Sequence, residues 1–171
     1  MRLYSGQVPV VASELRDMLV DGGDLEVAPE NLEEVAKDIE SVLREFIRLD
    51  RELVDESRDL IARQGRGSIG RMKRKLAKQK GLDIVDDPVG YIIDQLIETF
   101  FHSHFVEEVY SLDRELRRKI APRLRKHMDV EEELDEEVRD KIKNLEEGSQ
   151  AWEIEYQKAM EKLKRTKKLE D

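Results

Sequence analysis

The sequence contains no cysteine among its 171 residues. Disulfide bonds, thiolate nucleophiles and cysteine-ligated metals are therefore excluded. Aromatic residues make up only 5% of the chain and include one tryptophan, so the core must be built from aliphatic side chains. No apolar run approaches the roughly 20 residues that span a bilayer, and the first residues lack the pattern of a secretory signal. We therefore predict no transmembrane segment and a cytoplasmic location.

Charged residues, in contrast, make up 42% of the chain, well above the usual quarter. The net charge of −9 argues against a general nucleic-acid binder but is compatible with a local basic patch. Apolar residues recur at helical spacing from Leu32 to Ile61. This periodicity indicates that the charged residues lie on the solvent-exposed faces of helices rather than in disordered segments. The predicted fold class is all-α, an elongated helical bundle with no β-sheet.

The chain aligns with itself when it is shifted by 81 residues. Between residues 34 and 68, 12 of 35 positions are identical without a gap, where random pairing would give about two. We interpret this match as an internal duplication of a short, a long and a short helix, with repeats 1–82 and 83–171. Because a thin half-domain buries little area alone, we expect both halves to share one core.

Proline, glycine and capping residues place the boundaries of the predicted helices. The expected helical ranges are 8–19, 29–63, 68–80, 88–104, 107–144 and 149–163. Pro122 lies inside the second long helix, where it removes a backbone donor, so we expect a kink or a break near Ala121. The tail 164–171 is expected to fray.

Three segments connect the chain to a known family. They are Met1–Leu3, Glu132–Arg139 and Glu147–Tyr156, and with them the chain resembles a bacterial family, domain of unknown function 507. The resemblance covers essentially the whole chain as two tandem copies of the unit. It implies a bacterial intracellular protein and brings no catalytic residues. The first copy departs from the pattern, because Arg71 and Lys75 stand where Trp152 and Tyr156 stand in the second.

A basic segment, residues 63–80, holds eight basic residues and no acidic one. It is typical of a helix that contacts nucleic-acid phosphates or an anionic membrane surface. The alternative is a solvated face that pairs with acidic helices, since residues 129–147 hold ten acidic and three basic residues. No aromatic residue lies among the basic ones to stack on bases. The candidate contacts for a partner or nucleic acid are Arg66, Arg71, Lys73, Arg74, Lys75 and Lys78. A second basic run, residues 114–126, has the same alternatives.

Few sequence patterns indicate a metal-binding or catalytic site. Asp94, Glu98 and His102 are metal-ligand types four residues apart, but a di-iron bundle needs a Glu-x-x-His pair on each of two helices, and the sequence contains none. Neither a Gly-x-Ser-x-Gly elbow nor a phosphate loop occurs. We therefore predict no metal, no cofactor and no catalytic residue, and we interpret Trp152 and Tyr156 as a packing anchor.

These observations predict a non-enzymatic, cytoplasmic protein-interaction or scaffold module that presents charged helical faces to a protein partner. The alternative is a nucleic-acid-associated protein that uses the basic helix 68–80. The two hypotheses differ in salt dependence, because phosphate contacts weaken steeply with salt. Regular heptads fit an internal bundle and a second chain equally well, so a homo-oligomer stays open.

Overall fold

A computed structural model describes residues 1–169, and most of them are helical. The helices are α1 Val8–Asp21, α2 Leu32–Gln64, α3 Ile69–Gln79, α4 Pro88–His102, α5 Asp113–Met128, α6 Val130–Lys141 and α7 Gln150–Thr166. Single 3-10 turns, Ser5–Gln7 and Pro29–Asn31, precede α1 and α2. The prediction of a mainly helical fold is confirmed.

The prediction that the fold has no β-sheet is wrong. Two short strands, β1 Leu25–Glu26 and β2 Glu108–Val109, pair antiparallel with Leu25 opposite Val109. The backbone N–H of Tyr110 donates to the carbonyl oxygen of Asp24 at 2.9 Å, which extends the ribbon. Two residues per strand are too few to produce an alternating pattern in the sequence. Because β2 occupies residues where the second long helix was expected to begin, that helix begins at Asp113 rather than near residue 107.

Side-chain caps start three helices at the predicted places. Ser68 accepts from the backbone N–H of Arg71, and Ser149 does the same for Trp152. The carboxylate of Asp87 accepts from the N–H of Gly90, two residues after the proline that opens α4. Each cap satisfies a backbone donor that the first helical turn leaves unpaired.

The main core is formed by α1 to α5 and therefore draws on both halves of the sequence. In α2 the buried residues follow the predicted apolar seam and include Val35, Ile39, Leu43, Phe46 and Leu53. Equivalent rows from α1, α4 and α5 pack against it, and the contribution of α3 is Leu76 and Ala77. Burial of these aliphatic rows is the main driving force for the fold.

A second, smaller core joins α6 and α7. Its buried members are Tyr4, Leu134, Val138, Ile142, Met160, Leu163 and Leu169. α7 continues to Thr166, and Leu169 is 5% exposed. Fraying from Lys164 onward is therefore wrong as far as residue 169, while residues 170 and 171 lie outside the described part of the chain.

The second long helix is interrupted at Asp129. α5 continues through Pro122 and ends at Met128, so the break expected near Ala121 lies farther along the chain. The N-terminal segment explains this position. The backbone N–H of Arg2 donates to the carbonyl oxygen of Met128, and the side-chain amide of Gln7 donates to that of His127, both at 2.9 Å. Because these two carbonyls accept hydrogen bonds from the N-terminal segment, they do not take part in the backbone hydrogen bonds that would continue the helix past Asp129.

The same N-terminal segment connects the two cores. Leu3 lies in the main core, whereas the next residue, Tyr4, is 1% exposed and lies in the smaller one. The guanidinium of Arg2 lies 4.5 Å from the centre of the Tyr4 ring, and Nζ of Lys164 lies 5.3 Å from it. The segment thus fixes the α6–α7 hairpin against the body of the protein.

Candidate interaction surface

α3, the basic helix of the sequence analysis, packs on α2 through Leu76 and Ala77. Its basic residues divide into two groups by their ion pairs. The first group pairs with acidic residues of the fold. The second group is exposed to solvent and forms no ion pair within residues 1–169.

Three basic residues of α3 and its C-terminal end form ion pairs within the fold. Lys73 pairs with Asp50 of α2. Nε of Arg74 lies 2.8 Å from Oδ1 of Asp86. Nζ of Lys80, just after α3, lies 2.5 Å from a carboxylate oxygen of Glu56, and this hydrogen bond raises the pKa of Lys80. Pairing with acidic residues thus occurs for these three, and the partners lie on α2 and in the loop after α3 rather than in residues 129–147.

The remaining candidates are Arg66, Arg71, Lys75 and Lys78. All four are exposed, and none forms an ion pair within residues 1–169. Arg71, Lys75 and Lys78 are spaced i, i+4 and i+7, which places them within an arc of about 60° on α3. We call these three residues the basic face. A shallow depression of about 470 Å³ lies at its N-terminal end, between Arg71, Lys75 and Gly67.

An opposite charge pattern occurs on α6. Glu133, Glu136 and Asp140 are exposed and lie within a similar arc of about 60°. Glu133 and Glu136 make no ion pair in the described part of the chain, and Asp140 lies 3.8 Å from Nζ of Lys143. We call these three residues the acidic face.

Trp152 and Tyr156 lie between α6 and α7, away from the candidates on α3. Their rings stack with centroids 5.1 Å apart, and the guanidinium of Arg139 lies 5.3 Å from the indole. The Tyr156 hydroxyl donates to Asp135, and this hydrogen bond raises the pKa of Tyr156 to about 12. The same bond lowers the pKa of Asp135. Both aromatic side chains are half-buried against the smaller core.

The second basic run is also split by the fold. Arg117 pairs with Asp94 and Asp113, and Arg123 pairs with Glu14. Four other members are exposed and form no ion pair among the described residues. They are Arg114, Arg118, Arg125 and Lys126.

An ion pair with a buried carboxylate was missed by sequence reasoning. Asp24 is 2% exposed and accepts hydrogen bonds from Nζ of Lys119 at 2.7 Å and from the Ser111 hydroxyl at 2.5 Å. Asp24 precedes β1 and follows two glycines, so the sequence indicated only a turn. The pair joins the β-ribbon to α5 and plays a structural part.

A second polar cluster connects α1 with the end of α5. A Glu14 oxygen lies 2.6 Å from Nε2 of His127, and the other accepts from Arg123 at 2.9 Å. Partial burial raises the pKa of Glu14, but its hydrogen bonds to His127 and Arg123 outweigh burial and lower it overall. The cluster therefore holds Glu14 as a carboxylate.

The suggested ligand row on α4 does not assemble into a metal site. Asp94 is paired with Arg117, and Nδ1 of His102 lies 2.8 Å from the backbone oxygen of Glu98. Among residues 1–169, no group of three or more histidine, aspartate or glutamate residues is arranged to hold a metal ion. In the same range, no helix is both long and apolar enough to cross a membrane.

Comparison with known families gives one match. The sequence profile of the family described as Protein of unknown function (DUF507) matches residues 1–169. The chain belongs to this family. The resemblance inferred from the sequence is thereby confirmed at the level of the family. No curated protein matches the chain.

Proposed function

We propose that this chain is a non-enzymatic interaction module that binds an acidic protein surface through the basic face of α3. The cations of this face have side chains long enough to reach a partner, and α2 already holds the opposite side of the helix. The rigid scaffold and the exposed charges together support a docking role.

One observation carries this proposal. Arg71, Lys75 and Lys78 form no ion pair within residues 1–169, although Lys73, Arg74 and Lys80 on the same helix region are all paired. A chain with 40 acidic residues offers many partners for its 31 basic ones. Three neighbouring cations that no acidic residue of the fold neutralises are therefore available to an external acidic surface.

The repeat supports the same proposal. α2 and α5 begin 81 residues apart, as do α3 and α7. We propose that the halves arose by duplication and then diverged, since Arg71 and Lys75 align with Trp152 and Tyr156. In α7 this helix face packs against α6, whereas in α3 it is exposed. In this proposal, the helix face that packs against α6 in the second half became an exposed binding surface in the first half. We further propose that the protein is bacterial and cytoplasmic.

Nucleic acid is the second candidate ligand, and the basic face also matches phosphate chemistry. Its three cations would contribute a salt dependence, but the net charge of −9 opposes binding of a polyanion. No exposed aromatic residue lies on α3 to stack on bases. These observations favour an acidic protein.

The test is affinity capture from native bacterial lysate with the full chain, with and without nuclease. Wild type is compared with the triple variant Arg71→Glu, Lys75→Glu, Lys78→Glu. The matched control reverses three exposed arginines of α5 that form no ion pair within residues 1–169, Arg114→Glu, Arg118→Glu and Arg125→Glu, because it changes the net charge by the same amount. Circular dichroism checks that each variant is folded.

Proteins captured by wild type and the α5 control, but lost with the α3 variant, would support the proposal if they persist after nuclease treatment. Loss of all partners with nuclease, together with recovered RNA or DNA, would replace the protein partner by nucleic acid. Equal capture by the α3 variant would refute a binding role for the basic face under both hypotheses.

A further inference from the structure

The chain carries two charged helix faces of opposite sign that do not meet within one molecule. The basic face lies on α3 and the acidic face on α6, and no ion pair joins them among residues 1–169. Each face contains three exposed residues in an arc of about 60°. Two complementary surfaces on the same chain give a second copy a place to bind.

The spacing of the charges on the two faces matches. Arg71, Lys75 and Lys78 are separated by four and three residues along α3. Read in the reverse direction, Asp140, Glu136 and Glu133 are also separated by four and three residues along α6. Each row is about 10 Å long at the rise of an α-helix. An antiparallel contact would therefore place one carboxylate opposite each cation and would also align the helix dipoles favourably.

A single twofold axis that brings α3 of each copy to α6 of the other would pair both sets of charged faces at once. Such a self-complementary arrangement closes after two copies, as in most homodimers.

The α2 face that is equivalent to the acidic face by the 81-residue shift is less suited to bind a cationic helix. Its residues are Glu52, Asp55 and Asp59. Glu52 already lies 3.0 Å from Arg48 and 3.8 Å from Lys80. Asp55 lies 4.0 Å from Arg58. At Glu52 the internal cations reduce the charge that α2 can offer to a second copy, whereas Glu133 and Glu136 of the acidic face form no ion pair within residues 1–169.

We infer that the basic face of α3 binds the acidic face of α6 in a second copy of this chain. This inference rests on the proposed function and names the acidic partner surface. The dimer is held by exposed ion pairs, so it is weak and sensitive to salt.

The experiment measures self-association of the full chain by analytical ultracentrifugation. Because exposed pairs are weak, protein concentrations up to about 0.5 mM are needed. Raising NaCl from about 0.02 M to about 0.5 M should weaken wild-type dimerisation at least tenfold, since the screening length falls several-fold. Two variants are then compared. One carries Arg71→Glu, Lys75→Glu and Lys78→Glu, and the other carries Glu133→Lys, Glu136→Lys and Asp140→Lys.

Each variant alone should be monomeric, because its α3 and α6 carry charges of the same sign. An equimolar mixture should form a dimer, because each α3 then meets an α6 of opposite charge in both contacts. The α5 reversal Arg114→Glu, Arg118→Glu, Arg125→Glu and the α2 reversal Asp55→Lys, Asp59→Lys serve as controls and should dimerise like wild type.

A monomeric wild type at low salt, or a mixture of the two variants that stays monomeric, would overturn the inference. Loss of dimerisation in the α2 control would overturn it as well, because the docking surface would then be α2. If lysate proteins still depended on the basic face in these cases, the proposed function would stand and its partner would be another protein.

Discussion

Replacement of Tyr4 by alanine should release the α6–α7 hairpin while the main core stays folded. Tyr4 is 1% exposed and is the only buried member of the smaller core that comes from outside residues 134–169 of the described chain. Truncation of a buried aromatic side chain destabilises by about 3–5 kcal/mol. The contacts of the ring with Arg2 and Lys164 would each add about 0.5–1 kcal/mol.

The expected loss is about 4 kcal/mol at the low end of this sum, which corresponds to a roughly thousandfold rise in the equilibrium constant for opening of the hairpin. The single tryptophan, Trp152, lies in this hairpin, so tryptophan fluorescence reports on the hairpin alone. Urea unfolding is followed by tryptophan fluorescence, which detects the hairpin, and by far-ultraviolet circular dichroism, which detects all helices. In Tyr4→Ala the fluorescence transition should occur at lower urea than the main dichroism transition.

The control is Tyr4→Phe, which keeps the ring and should leave the two transitions close together. Hydrogen exchange gives an independent measurement, because amides in α7 should exchange far faster in Tyr4→Ala while those in α2 should not. Coincident transitions in Tyr4→Ala, or equal acceleration of exchange in α2 and α7, would refute a separate role for the N-terminal segment in holding the hairpin.

Three further predictions concern individual side chains. Lys119→Met leaves the buried carboxylate of Asp24 without its cation and should lower the free energy of unfolding by about 1–3 kcal/mol, measured by urea unfolding at pH 7, whereas Lys119→Arg should retain most of the stability. The lowered pKa of Glu14 means that its pairing stabilises the fold above its ordinary pKa of 4.5 and is lost as the pH falls, so the stability advantage of wild type over Glu14→Gln should shrink below about pH 4.5, and a constant difference would contradict the role of the pair. The pKa of Tyr156, raised from 10.0 to about 12, means that stability is retained below pH 10 and lost as the pH rises towards 12, so wild type should lose more hairpin stability over this interval than Tyr156→Phe, as followed by tryptophan fluorescence.

The helical architecture was predictable because its signals are local. The apolar seam of α2, the caps Ser68 and Ser149, and the Asp87-Pro88 start of α4 are each encoded within a few neighbouring residues. Seven-residue spacing of apolar side chains over four heptads has few structural solutions other than a packed helix. These elements were therefore placed correctly to within a few residues.

The features that sequence reasoning missed depend on contacts between distant residues. The break at Asp129 is positioned by donors from Arg2 and Gln7, more than 100 residues away, and not by the local effect of Pro122. The β-ribbon joins residues 25 and 109, and its strands are too short to be recognised singly. For the same reason, the sequence identified the basic helix but could not distinguish the three paired cations from those that form no ion pair.

The docking of the N-terminal segment has a consequence for synthesis on the ribosome. Gln7 and the carbonyl of His127 are separated by 120 residues. At a translation rate of about 5–20 residues per second, residues 1–7 emerge roughly 6–24 seconds before their acceptors. During this interval Tyr4 is an apolar side chain without its pocket, and the nascent chain depends on α1 to α4 for compaction. Residues 134–169 therefore complete the pocket of Tyr4 long after the N-terminal segment has been synthesised.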